Sequence, residues 1–242
     1  MNYKNLLALL LVFVLPLNLS AKKKEKRSVV RIETTMGTMR VALLDEAPRH
    51  RDNFLSLAES GHYDGTLFHR VINQFMIQGG DPDSRTAKPG QVLGDGDVPY
   101  TLAPEFLLPY YYHLRGALAA ARESDDVNPE QRSSGSQFYI VTGKKFGPGS
   151  LKQVRANLEA NGIEMTSQMF DDYEQYGGAP HLDGSYTVFG EVIEGMDIAE
   201  KIQVVPTDTH DRPLTDVIVT RMVIEQRSKE AKKAPSKAST KR

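Results

Sequence analysis

The chain has 242 residues, enough for one large domain or two small ones with a sizeable core. Its 30 Lys and Arg nearly balance 31 Asp and Glu, so no global electrostatic pull toward nucleic acid exists. Cysteine is absent, which excludes disulfides, thiol catalysis and thiolate zinc sites and leaves the redox compartment open.

Residues 1–21 read as a secretory signal peptide. Lys4 precedes an apolar run from Leu6 to Leu15, Pro16 breaks it, and Leu19-Ser20-Ala21 offers a small residue for cleavage. The run is short for a membrane span, so no stable membrane insertion is expected after cleavage. Residues 22–28 are basic and carry nothing to pack, as in a solvated linker.

A domain is expected over 29–226. Val29 to Thr34 and Met39 to Leu44 alternate in hydrophobicity about a turn at Met36-Gly37-Thr38, a predicted hairpin. A helix follows, with Pro48 in its first turn, Phe54, Leu57 and Ala58 on one face, and Gly61 to stop it. Residues 81–97 are a loop rich in Gly, Asp and Pro. Gly94-Asp95-Gly96-Asp97 lacks the spaced ligands of a calcium loop, and no metal or other cofactor is expected. The run from Leu114 to Arg122 is rich in alanine and reads as helix by propensity alone. Residues 123–134 form a polar loop. Within 144–180, Leu151, Val154 and Leu158 suggest one short helix ending near Gly162. Met169, Phe170 and Tyr173 suggest a second, ending near Gly177-Gly178. Tyr186 to Ile193 reads as a strand, Met196 to Ile202 as a helix, and Asp216 to Glu225 as a closing strand. Residues 227–242 are a basic tail expected to be disordered.

The informative stretch is Phe68-His69-Arg70-Val71-Ile72-Asn73-Gln74-Phe75-Met76-Ile77-Gln78-Gly79-Gly80-Asp81. Phe75 and Ile77 alternate with Met76 and Gln78, a strand period. On composition alone Arg70 is an arginine snorkelling from a sheet surface. The run nevertheless resembles the signature of the cyclophilins, the peptidyl-prolyl cis-trans isomerases. Gly135-Ser136-Gln137-Phe138-Tyr139-Ile140 and Leu182-Asp183-Gly184 with Val188-Phe189-Gly190 resemble two further motifs of that family, in its order. The resemblance covers 29–144 and 180–224, and 144–180 is longer than the connection usual in compact members.

The resemblance implies a mainly β fold, a closed eight-stranded antiparallel barrel capped by two helices, with 144–180 as a helical insertion. It places the alanine-rich run on the strand that floors the substrate groove. It makes Arg70 the catalytic residue and Phe75, Met76, Tyr139 and Leu182 the proline pocket. Gln78 stands beside that pocket, and Gln137, Ala121 and Arg122 meet the peptide preceding proline. Tyr186 stands where others have histidine, as in many bacterial members, and His181 where cyclosporin-binding members have tryptophan. Arg122 replaces a common asparagine, and Tyr139 replaces phenylalanine, adding a hydroxyl near the proline ring. The implied activity is rotation of X–Pro bonds in exported or envelope proteins of a bacterium, by a monomer whose partners are proline-containing polypeptides and not nucleic acid. The alternatives are a binding module or chaperone that grips such segments without catalysis, and an unrelated carboxylate hydrolase. His62, His69, His113 and His210 show no metal-ligand spacing and read as structural or surface residues.

Overall fold

The computed structural model describes residues 26–231; the expected signal peptide, most of the linker and the end of the tail lie outside them. Strands β1 (Val29–Thr34) and β2 (Gly37–Leu43) form the predicted hairpin, followed by helix α1 (Pro48–Glu59). Strands β3 (Arg70–Ile72), β4 (Met76–Gly79), β5 (Thr101–Leu102), β6 (Ala117–Ala120), β7 (Ser133–Ser134) and β8 (Phe138–Val141) come next. Helices α2 (Pro148–Ala160) and α3 (Ser167–Tyr176) precede strand β9 (Val188–Glu194), helix α4 (Met196–Gln203) and strand β10 (Val219–Gln226).

Eight strands form one antiparallel sheet in the order β10-β1-β2-β9-β6-β8-β4-β3, and β5 and β7 form a small second sheet. The alanine-rich run is strand β6, not helix. Each of its four residues is buried and it is paired on both sides, to β8 and β9, so the ladder overrides alanine's helix propensity.

Of the expected closed barrel, the named strands show a curled sheet, a half-barrel whose outermost strands are β10 and β3. Strand β3 pairs with β4 alone and makes no ladder to β10. The chain just before β3 spans the gap: Gly65 N–H donates to Val219 C=O at 2.8 Å, Val219 N–H to Thr66 C=O at 2.8 Å, and Phe68 N–H to Val217 C=O at 2.9 Å.

Inside the curl, Phe54 of α1 meets the rings of Tyr63, Phe138 and Phe189 at 5.1–5.4 Å between centroids. Burying one such phenylalanine contributes about 3 kcal/mol. Helix α4 packs against β2, β3 and β4. Helices α2 and α3 pack on each other and enclose a separate small core of Leu151, Leu158, Met165, Met169 and Tyr173. The Thr166 hydroxyl accepts from Met169 N–H and starts α3.

Both ends of the domain extend past the sequence-based limits. Ser28 is fully buried, and Ser228 N–H donates to its hydroxyl at 2.8 Å. Arg51, 2% exposed, is held by Asp45 at 2.7 Å, Asp52 at 2.8 Å and the Glu230 carbonyl at 2.8 Å. A polar composition does not reveal that a buried guanidinium elsewhere needs these acceptors, so 227–231 read as tail.

Candidate active site

The sheet register assembles the site. Arg70 pairs with Gln78, Gln78 with Tyr139, and Tyr139 with Ala119, across β3, β4, β8 and β6. Directly paired residues share a face, so Arg70, Gln78 and Tyr139 form a row across the wall. Met76, two residues before Gln78, shares that face, while Ile77, Phe138 and Ile140 turn into the core. Gly80 ends β4 with φ +93, and a Cβ there would sit 2.3 Å from the Ser136 carbonyl, so only glycine lets β4 lie this close to the strand β8 approach.

Arg70, Phe75, Met76, Gln78, Ala121, Arg122, Tyr139, Leu182 and Tyr186 together line one hollow of about 120 Å³. These are nine of the ten residues singled out from sequence. The tenth, Gln137, lines an adjoining hollow of about 870 Å³ that shares Gln78, Ala121 and Arg122.

Polar contacts hold the wall still. The Arg70 guanidinium donates from Nη1 to Gln78 Oε1 at 3.4 Å, and its Nε lies 3.6 Å from Asp211 Oδ2. Gln78 Nε2 donates to Gln137 Oε1 at 2.9 Å. Gln137 Nε2 in turn donates to the carbonyls of Gly94 at 2.6 Å and Gly96 at 2.8 Å. Gln137 is thereby spent on positioning Gln78 and the 94–97 loop. The acidic groups of that loop are engaged too, since Asp97 accepts from the Ser136 N–H at 2.9 Å and hydroxyl at 2.8 Å. Arg122 lies 4.5 Å over the Tyr186 ring, donates to the Ser185 carbonyl at 2.7 Å, and pairs with Asp125 at 2.7 Å. The site face of Arg122 is therefore a packed wall more than a free charge.

The Tyr139 hydroxyl, expected near the proline ring, is bonded to buried His113 Nε2 at 3.0 Å. Asp183, fully buried, organises this pair. It accepts from the His113 backbone N–H at 2.9 Å, stands 2.8 Å from His113 Nδ1, and accepts the Tyr173 hydroxyl at 2.6 Å. With Nδ1–H donated to Asp183, Nε2 is the ring atom that faces the Tyr139 hydroxyl and can accept its hydrogen bond. Burial pushes the Tyr139 and Tyr173 phenols well above their ordinary range, so both remain protonated. Sequence reading assigned no site role to His113, Asp183, Tyr173 or Asp211. Asp183 stood inside a quoted motif, but its partners lie 10 and 70 positions away. Asp211, at φ +62, is fixed by its carbonyl, which accepts from Val71 N–H at 2.8 Å.

The family model for cyclophilin-type peptidyl-prolyl cis-trans isomerase/CLD matches residues 29–224. A putative peptidyl-prolyl cis-trans isomerase of Staphylococcus aureus is 36% identical over 198 residues, covering 81% of this chain and 91% of that one. A putative bifunctional phosphatase/peptidyl-prolyl cis-trans isomerase of Streptococcus pyogenes is 37% identical over 193 residues; the match covers 78% of this chain and 37% of that longer protein. Among solved structures, a Cryptosporidium parvum cyclophilin type peptidyl-prolyl cis-trans isomerase superposes with TM-score 0.58 at 27% identity, covering 83% of this chain and 98% of that one. A second crystal structure of that protein, in the presence of the dipeptide Ala-Pro, gives TM-score 0.57 at 28% identity over 82% and 99% of the two chains. With the register, the hollow and a match across most of its length in agreement, the chain belongs to the cyclophilin-type peptidyl-prolyl cis-trans isomerase family.

Proposed function

We propose that the nine-residue hollow seats the proline ring of an extended polypeptide and that Arg70 catalyses rotation of the preceding peptide bond. Rotation costs about 18–20 kcal/mol because the C–N bond has partial double-bond character. No bond is broken, so catalysis requires only tighter binding of the twisted amide than of either planar isomer. In the twisted state the proline nitrogen regains its lone pair and accepts a hydrogen bond. The Arg70 guanidinium, held at the mouth by Gln78 and Asp211, supplies the donor. Phe75, Met76 and Leu182 give the apolar surface, and Gln78 is placed to bond the substrate carbonyl. The larger hollow beside Ala121, Arg122 and Gln137 takes the residues that precede proline. Arginine stays protonated throughout, so the rate should follow no ionising base.

The observation that carries this reading is the convergence of Arg70 and Gln78 with the apolar side chains of Phe75, Met76 and Leu182 on one hollow of about 120 Å³. The Ala-Pro dipeptide present with the Cryptosporidium relative supports the substrate class. The chain is further proposed to act as a monomer on exported or envelope proteins of a bacterium, on the strength of the leader pattern in 1–21. The test is cis-trans exchange of a short X–Pro peptide by NMR with purified 22–242. Acceleration lost in Arg70→Ala and not restored in Arg70→Lys supports the mechanism, because lysine lacks the planar fork. Equal rates in wild type and Arg70→Ala overturn it. Fractionation with mass analysis would test export and removal of 1–21, and recovery of the intact chain from the cytoplasm alone would overturn the export reading.

A further inference from the structure

A third hollow, of about 480 Å³, adjoins the proposed proline pocket at Phe75, which lines both. Phe75 is the residue between the two hollows, and its ring lies tilted against His181 of the third at 5.2 Å between centroids, forming a ridge on that side. The ridge is anchored, since the Phe75 carbonyl accepts from Thr142 and Gly143 N–H, each at 3.0 Å. The far wall is Lys144, Phe146 and Val154, with Val154 reaching in from α2. Backbone bonds hold this wall to the sheet. Gly178 N–H donates to the Lys144 carbonyl at 3.0 Å and Ala179 N–H to the His113 carbonyl at 2.8 Å. No acidic side chain lines the hollow, and Lys144 is exposed at its edge, 5.4 Å over the Phe146 ring.

The three hollows adjoin in order, about 870 Å³, then 120 Å³, then 480 Å³: the first two share Gln78, Ala121 and Arg122, the last two share Phe75, and the first and third share no residue. If the first takes residues before proline, the third lies where the chain continues after it. We propose that the third hollow is a binding subsite for the two residues that follow the proline. It takes a large apolar or aromatic side chain against Phe75, Phe146 and Val154, and a carboxylate on the next residue at Lys144. This rests on the reading of the middle hollow as the proline pocket. Helix α2 thereby gives the enzyme a sequence preference on the side of the bond away from Gln137.

The test uses the 22–242 chain and four peptides of sequence Ala-Ala-Pro followed by Gly-Gly, Phe-Gly, Phe-Asp or Phe-Lys. NMR titration gives each dissociation constant, and exchange spectroscopy gives each rate at saturation. We expect Phe-Gly to bind about tenfold tighter than Gly-Gly, from burial of one ring. Phe-Asp should bind about threefold tighter than Phe-Lys, the size of an exposed ion pair. The order of the last two should reverse in Lys144→Glu, a surface change that leaves the α2 core intact. Saturated rates should stay level across the series, because these contacts do not distinguish twisted from planar amide. Equal affinity for all four peptides would overturn the subsite, as would an Asp-over-Lys preference that survives Lys144→Glu. Loss of rate enhancement on every peptide, with the affinity order kept, would sink the proposed catalysis and leave the subsite standing.

Discussion

The sheet wall and the α2–α3 segment solve the same problem, fixing side chains around a hollow, in different ways. On the wall, four strands are locked in register, and the row Arg70–Gln78–Tyr139 follows from backbone pairing alone. The α2–α3 segment has no strand in the sheet. It carries its own small core and joins the wall through a few backbone bonds near Gly177 and Gly178 and through Tyr173 on Asp183. The φ of Gly178 is +154, and a Cβ there would stand 2.3 Å from the His113 carbonyl, so this junction requires glycine. A ladder spreads its energy over many bonds, whereas a docked segment concentrates it in one or two buried residues. The first resists single changes and the second does not.

Asp183 is where the comparison breaks most sharply. Asp183→Ala leaves the His113 N–H groups and the Tyr173 hydroxyl without an acceptor in a buried site. We expect a loss of about 4 kcal/mol, measured by urea unfolding, with α2–α3 becoming exchangeable in hydrogen exchange before the sheet does. Uniform exchange across both regions would show that they unfold as one unit.

The wall has its own weak point in acid. Burial drives the His69 imidazole down from 6.5 to about 4. The unfolded chain then binds this proton at higher pH than the folded one, so its contribution is full above pH 6.5 and is lost as pH falls toward 4. The linked change is about 3 kcal/mol over that window. Unfolding free energies measured from pH 7 to pH 4 should show it, and His69→Gln should flatten the slope if it folds. An unchanged slope in a folded His69→Gln chain would assign the acid limb to other groups.

Arg70→Ala separates chemistry from architecture. The Arg70 side chain is half-exposed, and its backbone pairing with β4 survives truncation to alanine, so the side chain contributes little to folding. We expect about a hundredfold loss of catalysed exchange, near 3 kcal/mol for a hydrogen bond from a charged donor, with no shift in the urea midpoint. A parallel loss of stability would place Arg70 in the fold instead.

Tyr173→Phe is the finest probe. It removes one of three bonds to Asp183 and keeps the ring in the α2–α3 core. We expect about 1 kcal/mol of destabilisation. Affinity should fall for peptides carrying Phe after proline while Gly-Gly is held as before. A change confined to stability would uncouple the segment from the third hollow.

Much of this molecule was legible from its residues. Period-two runs marked the first hairpin, β4 and β10, and spaced apolar residues marked all four helices, because those signals are local. The run from Arg70 to Gln78 was legible as a family motif because Arg70, Phe75, Met76 and Gln78 fall within nine positions, and their proposed roles came from that resemblance. Ala121, Gln137, Tyr139 and Leu182 joined it by resemblance; the fold brings Ala121, Tyr139 and Leu182 to the hollow of Arg70 and puts Gln137 in the adjoining one. Strand β6 needed the tertiary structure to beat its own propensity, since only pairing on both sides makes an alanine run extended. The bridging of the gap between β3 and β10 by residues 65–68, the burial of Ser28, Ser228 and Arg51, and the chain from Tyr173 through Asp183 and His113 to Tyr139 had no sequence signature. Each depends on groups far apart in the chain meeting where water is excluded. Composition and spacing determine which residues can be buried or bonded; which partner each buried polar group finds is decided only when the sheet curls and the helices dock.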